Sequence, residues 1–299
     1  MQDLLRRLIR DNRELTERGN VARYIPQLSK ADPATLGVAV CDLEGAFATA
    51  GDTSTRFTLQ SVSKPFALAL ALMDNGPEEV FNHIGMEPTG DSFNSLTKLE
   101  TFSSLKPVNP LVNAGAITTT ALIKGNSQSD KFRRLMGFVR ELAGEEYVGF
   151  DEDVYLSERE TGDRNRSIAY FLRDIGALHE SVEDTLDLYF RQCSIEVDCR
   201  SLAKMATALA ALGEGLIPVE YRRIIRTFMF TCGMYDASGE FAIKAGIPAK
   251  SGVSGGIMAV IPGQYGIATL GPSLDAKGNS VAGIAVLADL SRELNLYVF

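Results

Sequence analysis

Gln60-Ser61-Val62-Ser63-Lys64-Pro65 runs directly into the apolar stretch Phe66-Ala67-Leu68-Ala69-Leu70-Ala71-Leu72-Met73, and this segment organises the reading of the 299-residue chain. Proline is tolerated only near a helix start, and Asp74-Asn75-Gly76-Pro77 carries helix-stop chemistry. The pattern therefore predicts a buried helix that opens close to Ser61. Residues three apart share a helix face, which brings the Lys64 amine within hydrogen-bond reach of the Ser61 hydroxyl. Burial lowers a lysine pKa towards neutrality, and a helix N-terminus favours negative charge on the serine oxygen. Ser61 is thus a candidate nucleophile with Lys64 as its base, although Ser-x-x-Lys is a short motif that needs partners elsewhere.

On the N-terminal side, Leu4, Leu5, Leu8, Ile9, Asn12 and Leu15 fall at helical spacing, predicting an amphipathic helix over residues 3–18 that ends at Gly19-Asn20. Tyr24 to Leu28 reads as extended, because Ile25 precedes a proline. Leu36–Cys41 and Ala46–Ala50 read as a hairpin around the turn Asp42-Leu43-Glu44-Gly45. On the C-terminal side, residues 75–221 are mainly helical. Period-3.6 spacing marks Ala114–Ile123, Asp130–Ala143, Arg164–Ile175, Val182–Cys193 and Ser201–Leu212, with Ser157–Asn165 as a polar loop. From Gly233 the chain turns β-rich: a strand, a tight glycine turn and a second strand across Ile247–Val260, then strands at Tyr265–Leu270 and Val281–Leu287 and a closing helix at Leu290–Leu296. Sheet elements at both ends imply an α+β fold of one domain. A sheet subdomain is expected from about 1–60 and 222–299, and a helical subdomain from about 61–221.

Composition narrows the chemistry. A net charge of −8 gives no footprint for nucleic acid and no polybasic membrane patch, so the expected partner is a small molecule. No apolar run approaches transmembrane length and the N-terminus lacks a signal-peptide pattern, which points to a cytoplasmic protein. Cys41, Cys193, Cys199 and Cys232 form no Cys-x-x-Cys pair and read as free thiols. The two histidines, His83 and His179, lie in no ligand-spaced cluster, so neither a metal site nor a Ser-His-Asp triad is expected.

The second half of the motif is Lys250-Ser251-Gly252 on a predicted strand. Ser-x-x-Lys opening a helix, followed later by Lys-(Ser/Thr)-Gly on a strand, is the pattern of penicillin-recognising serine enzymes. Their middle Ser-x-Asn motif has only Ser92-Phe93-Asn94 as an early literal match, and Ser103-Ser104-Leu105-Lys106 is a weaker second Ser-x-x-Lys. Further blocks are Tyr24-Ile25-Pro26-Gln27-Leu28, Asn109-Pro110-Leu111-Val112-Asn113-Ala114-Gly115-Ala116 and Ser157-Glu158-Arg159-Glu160-Thr161-Gly162-Asp163-Arg164-Asn165. Tyr189-Phe190-Arg191-Gln192-Cys193-Ser194-Ile195-Glu196, Gly233-Met234-Tyr235-Asp236 and Pro248–Val253 follow. In these blocks and their order the chain closely resembles the serine-dependent glutaminases, which share the β-lactamase/transpeptidase-like fold: an antiparallel sheet flanked by helices plus a helical subdomain.

The resemblance implies hydrolysis of L-glutamine to L-glutamate and ammonia without a cofactor, by a homo-oligomer (dimer or tetramer). It implies Ser61 as nucleophile, Lys64 and Tyr235 as the groups that handle its proton, and Tyr24, Gln60, Asn113, Glu158, Asn165, Tyr189 and Val253 as substrate contacts alongside Ser61 and Tyr235. The backbone N–H groups of Ser61 and Val253 would form the oxyanion hole, and Glu158 would take the α-ammonium. Lys250 is an accessory cation expected to depress the Lys64 pKa by repulsion, and Gly252 is expected to leave room for substrate. Other readings stand beside these. Asn113 and Asn165 could cap the helices that follow them, Tyr189 could be packing, and the same fold could serve a β-lactamase or peptidase. A non-catalytic amino-acid-binding module is the reading from another class.

Overall fold

The computed structural model describes residues 1–90, 94, 106–144 and 148–298. In chain order the helices and strands are α1 (Gln2–Asn12), β1 (Gly37–Asp42), β2 (Phe47–Gly51), β3 (Phe57–Thr58), α2 (Lys64–His83), α3 (Asn113–Ala121) and α4 (Gln128–Ala143). Then come β4 (Gly149–Phe150), α5 (Glu152–Thr161), α6 (Asp163–Asp174), α7 (Val182–Cys193), β5 (Ile195–Val197), α8 (Cys199–Ala210) and α9 (Val219–Cys232). The chain closes with α10 (Ser238–Lys244), β6 (Ala249–Ser251), β7 (Gly256–Ile261), β8 (Tyr265–Leu270) and α11 (Val281–Leu294).

The main sheet has five strands in the order β2-β1-β8-β7-β6, each antiparallel to its neighbour. Thr269 on β8 sits opposite Val38 on β1 and Ile257 on β7, which fixes the register through the sheet centre. Strand alternation then sorts the side chains. Val38, Val40, Ile257, Ala259, Ile261 and Ile267 pack against α1 and α11, while Ala39, Cys41, Met258, Val260 and Ala268 pack against α8 and α2. Because helices cover both faces, β7 is buried along its whole length, which explains its unbroken apolar run Ile257-Met258-Ala259-Val260-Ile261. A small second sheet, β3-β5-β4, runs beside the start of α2. The fold is α+β, as expected from the sequence.

Several expected elements changed type for identifiable reasons. Val281–Leu287 is not a strand but the first half of α11. The Ser280 side chain accepts from Gly283 N to cap this helix, and Ala282, Val286, Leu287 and Leu290 line one helical face against the sheet. The β-branched residues and Gly283 imitated a strand. Ser157–Asn165 is not a loop but the junction of α5 and α6, with Asp151 capping α5 by accepting from Val154 N. Its polar residues face the cleft and solvent, which hid the helical period. Ile25 is extended as expected, but Pro26 opens a 3-10 turn to Lys30, so the extended segment is shorter than predicted. The N-terminal α-helix stops at Asn12 and continues as a 3-10 turn over Arg13–Arg18. Gly76, with φ of 80°, breaks α2 where the stop was expected, yet the helix resumes to His83. Helix α9 ends at Cys232, just ahead of the expected change at Gly233, and helix α10 lies beyond it.

Candidate active site

A 3-10 turn, Gln60–Ser63, delivers the chain into α2, so Ser61 sits in this tight turn, ahead of the α-helix that starts at Lys64. Gln60 adopts φ of 48° and Tyr235 adopts φ of 56°, left-handed conformations that cost a non-glycine residue about 1–3 kcal/mol each. Such strain persists only where the surroundings impose it, and both residues lie beside Ser61. The turn after β6 comes up against the same place. A Cβ on Gly252 would lie 2.8 Å from Leu59 O and 3.1 Å from Val62 Cγ2, so this glycine makes room for the Ser61 turn.

A cleft of about 90 Å³ opens here, lined by Tyr24, Gln60, Ser61, Asn113, Glu158, Asn165, Tyr189 and Val253, residues drawn from six separate stretches of the sequence. It is also lined by Asn94, the last residue of the early Ser-x-Asn match, and by Ile25, Thr161, Gly162, Arg164 and Cys193, to which sequence reasoning gave no role. Those five stand inside the blocks already quoted, so their neighbours were the available signal. Tyr24 has 59% of its surface exposed, yet burial and the nearby Tyr235 and Glu158 push its hydroxyl pKa well up. Neither histidine lines the cleft; His83 and His179 stack edge to face at 6.1 Å. Ser92, Phe93 and Ser103–Leu105 lie outside the described residues.

Behind the lining stand the two lysines and Tyr235. Lys64 is 1% exposed, and its Nζ donates to Leu111 O at 3.0 Å and to Asn113 Oδ1 at 2.7 Å. Asn113 Nδ2 donates in turn to Asn165 Oδ1 at 2.9 Å. Asn113 therefore caps nothing. Val112 occupies the cap position of α3, and Asn165 lies inside the first turn of α6, after Gly162. Burial lowers the Lys64 pKa to about 8. Tyr235 is hydrogen-bonded to Ser61 and donates to Ser251 O at 3.1 Å; burial pushes its pKa up, so it stays a phenol. Lys250 donates to Gly233 O at 3.0 Å and Ser251 O at 2.6 Å, with its amine 4.3 Å from the Tyr235 ring centre. Burial holds the Lys250 pKa well below its usual range, with repulsion from Lys64 as the second cause, and burial is the main cause at Lys64. Repulsion between the two buried amines is mutual, so each disfavours the other's proton.

The carboxyl group of Glu158 differs from the two lysines and the phenol in its hydrogen bonding. It is 7% exposed, and its Oε2 has no hydrogen-bond partner. Burial raises its pKa to about 8, against a hydrogen bond from Gln60 and the charge of Lys64. A buried carboxylate oxygen without a donor is costly unless a ligand supplies one. Tyr189 lies on the inner wall, hydrogen-bonded to Cys193, with burial pushing both pKa values well up. The arrangement can hold a small amino-acid-sized molecule between a serine hydroxyl and a waiting carboxylate.

Comparison with known proteins agrees with this geometry. The Glutaminase family model matches residues 19–299. The chain is 53% identical over 304 residues to the glutaminase of Clostridioides difficile (strain 630), covering 100% of this chain and 98% of that one. It is 51% identical over 305 residues to glutaminase 2 of Clostridium perfringens (strain 13 / Type A), covering 100% of both. Among solved structures, the probable glutaminase ybaS superposes with a TM-score of 0.94 at 38% identity, covering 100% of this chain and 99% of that one. A Bacillus subtilis probable glutaminase complexed with 6-diazo-5-oxo-L-norleucine gives 0.91 at 34%, covering 100% of this chain and 97% of that one. Mglu in its glutamate form gives 0.92 at 36%, covering 99% of this chain and 69% of that one. A cleft that sets a strained serine turn against an unpaired buried carboxylate, on a fold shared throughout with these enzymes, leads to one conclusion: the chain belongs to the glutaminase family.

Proposed function

We propose that this chain hydrolyses L-glutamine to L-glutamate and ammonia through a glutamyl ester on Ser61. The observation that carries the reading is the pairing, across one small cleft, of Ser61 on its strained turn with the partnerless Oε2 of Glu158. Glu158 takes the α-ammonium. The amides of Asn113 and Asn165 and the hydroxyls of Tyr24 and Tyr189 hold the rest of the head group, and the side-chain amide carbon reaches Ser61 Oγ. The hydrogen bond that closes the turn after β6 runs from Gly255 N to Gly252 O, leaving the Val253 N–H outside it. That N–H and the Ser61 N–H form the oxyanion hole, compressing the charge of the tetrahedral intermediate between two fixed donors. Lys64 provides the amine that is neutral near working pH. Tyr235 holds Ser61 Oγ and passes the proton to the departing ammonia. Water then cleaves the ester by the same groups in reverse. No cofactor enters this scheme. A single cytoplasmic domain with the sheet and helical subdomains outlined above, assembled as a homo-oligomer, belongs to the same reading.

The test is an ammonia-release assay without ATP or added metal on wild type and Ser61→Ala in parallel. The expected outcome is turnover of glutamine by wild type, a kcat loss of about 10³-fold or more in the variant, and retained glutamate binding. N-acetylglutamine should be a poor substrate because it lacks the ammonium. Equal turnover of nitrocefin would favour the β-lactamase reading, and glutamine binding without turnover by wild type would favour a binding module.

A further inference from the structure

Glu158 and Arg164 are the charged residues among those lining the cleft, one acid and one base. They occupy opposite sides of a single glycine. Gly162 ends α5 and begins α6, so the C-terminal end of one helix and the N-terminal end of the next meet at the cleft wall. A Cβ on Gly162 would lie 2.6 Å from Phe190 Cζ and 2.7 Å from Glu158 O; only glycine lets both ends abut α7. Glu158 sits on the last turn of α5, where helix carbonyls favour a cation. Arg164 and Asn165 sit on the first turn of α6, where backbone N–H groups favour an anion. Helix dipole and side-chain charge have the same sense at each end.

Two further observations point to a ligand between them. Glu158 Oε2 is buried, faces this cleft and lacks a partner. Arg164, an exposed residue of the lining, donates its Nε–H to Asn94 O at 2.9 Å, which anchors the guanidinium at the mouth of the cleft. Asp163, the acid of the same first turn, is 94% exposed and is not part of the lining. The Asn113 and Asn165 amides and the tyrosine hydroxyls supply hydrogen bonds but no positive charge.

We propose that Arg164 is a specificity-determining residue, reading the α-carboxylate at the N-terminus of α6 while Glu158 reads the α-ammonium at the C-terminus of α5, so that the zwitterionic head group bridges Gly162. This rests on the assignment of a free amino acid as substrate and adds the charge that selects an unmodified carboxylate. The cleft therefore discriminates against glutamine whose carboxylate is amidated or continued as a peptide.

The experiment measures kcat and KM for L-glutamine and for its α-carboxamide, L-glutaminamide, and the calorimetric Kd of L-glutamate, with wild type, Arg164→Ala, Arg164→Gln and Arg164→Lys. Arg164→Ala should raise the glutamine KM and the glutamate Kd about tenfold, more at low ionic strength, with kcat falling less than threefold and the glutaminamide KM moving less than twofold. Arg164→Gln should behave like the alanine variant. Arg164→Lys, which keeps the charge but not the planar fork, should recover part of the loss. A glutamate Kd within twofold of wild type in Arg164→Ala overturns the proposal. So do equal losses on glutamine and glutaminamide, which would mean that Arg164 only positions Asn94. Wild type that binds glutamate but does not hydrolyse glutamine overturns the hydrolase reading alone, because the Kd series still reads the carboxylate site. Wild type that binds no glutamate overturns both.

Discussion

The two walls of the cleft are built on opposite rules. On the wall beside Ser61 the two lysines and the phenol are paired within the protein: Lys64 with Leu111 and Asn113, Lys250 with Gly233 and Ser251, Tyr235 with Ser61 and Ser251. On the wall formed by α5 and α6, Glu158 Oε2 is buried and left open. Pairing holds these groups in place, while burial lowers the pKa of the amines. An open acceptor stores a binding demand that only a ligand meets. On this view the first wall performs the chemistry and the second chooses the molecule, so substitutions should separate into kcat effects and KM effects.

The largest effects should come from the wall beside Ser61. Lys64→Ala and Tyr235→Phe are each expected to lose about 10³-fold in kcat while still binding glutamate. The double variant should lose little more than either, since members of one relay act as a unit. Near wild-type kcat in Tyr235→Phe would leave Lys64 as sole base. Additive losses would mean that the two groups work independently.

Glu158→Gln should instead raise the glutamine KM at least tenfold, with a smaller fall in kcat, and should stabilise the fold. The folded carboxyl holds its proton up to about pH 8, against 4.5 when unfolded. Its favourable contribution is therefore lost as pH rises from 4.5 through 8, a loss the amide does not share. Thermal melts should show the Tm of Glu158→Gln gaining on wild type over that window. A gap that does not change with pH would remove the distinction between the walls.

The pH profile sharpens the same comparison. In the proposed mechanism Lys64 acts as a neutral amine, and its pKa is lowered to about 8, so kcat should rise through a limb near that pH. In the empty cleft Glu158 must also lose a proton before taking an ammonium, so kcat/KM should fall more steeply than kcat on the acid side. Glu158→Gln should flatten the extra slope. Parallel limbs in wild type would contradict separate roles. The smallest expected effect is Gly252→Ala: its methyl group would press on Leu59 O, moving the turn after β6 away from Ser61 and lowering kcat about tenfold with KM nearly unchanged.

How much of this was legible depended on where the information lay. The hairpin β1–β2, the strands β6 to β8 and helices such as α7 carry their period in the residues themselves, and the sequence reading matches them closely. Val281–Leu287 misled because β-branched residues and a glycine look alike in a strand and in a helix packed on a sheet, and the deciding contacts are remote in sequence. The α5–α6 junction was hidden because its helices turn polar residues both to solvent and to the cleft. Residues gathered from family-like blocks converge on one cleft, but the strained backbone of Gln60 and Tyr235 and the pairing of Lys64 with Asn113 exist only in three dimensions.

The chain from Lys64 through Asn113 to Asn165 also has a direction. The Lys64 amine donates to Asn113 Oδ1, which turns the Asn113 NH₂ group towards Asn165 Oδ1. The Asn165 amide is thereby fixed with its own NH₂ group away from Asn113. The buried lysine thus writes a polarity that is read two side chains away. Asn165 is turned to offer a hydrogen, matching an acceptor and repelling a donor, and an Asn113→Asp replacement would erase that message while leaving the volume of the wall almost unchanged.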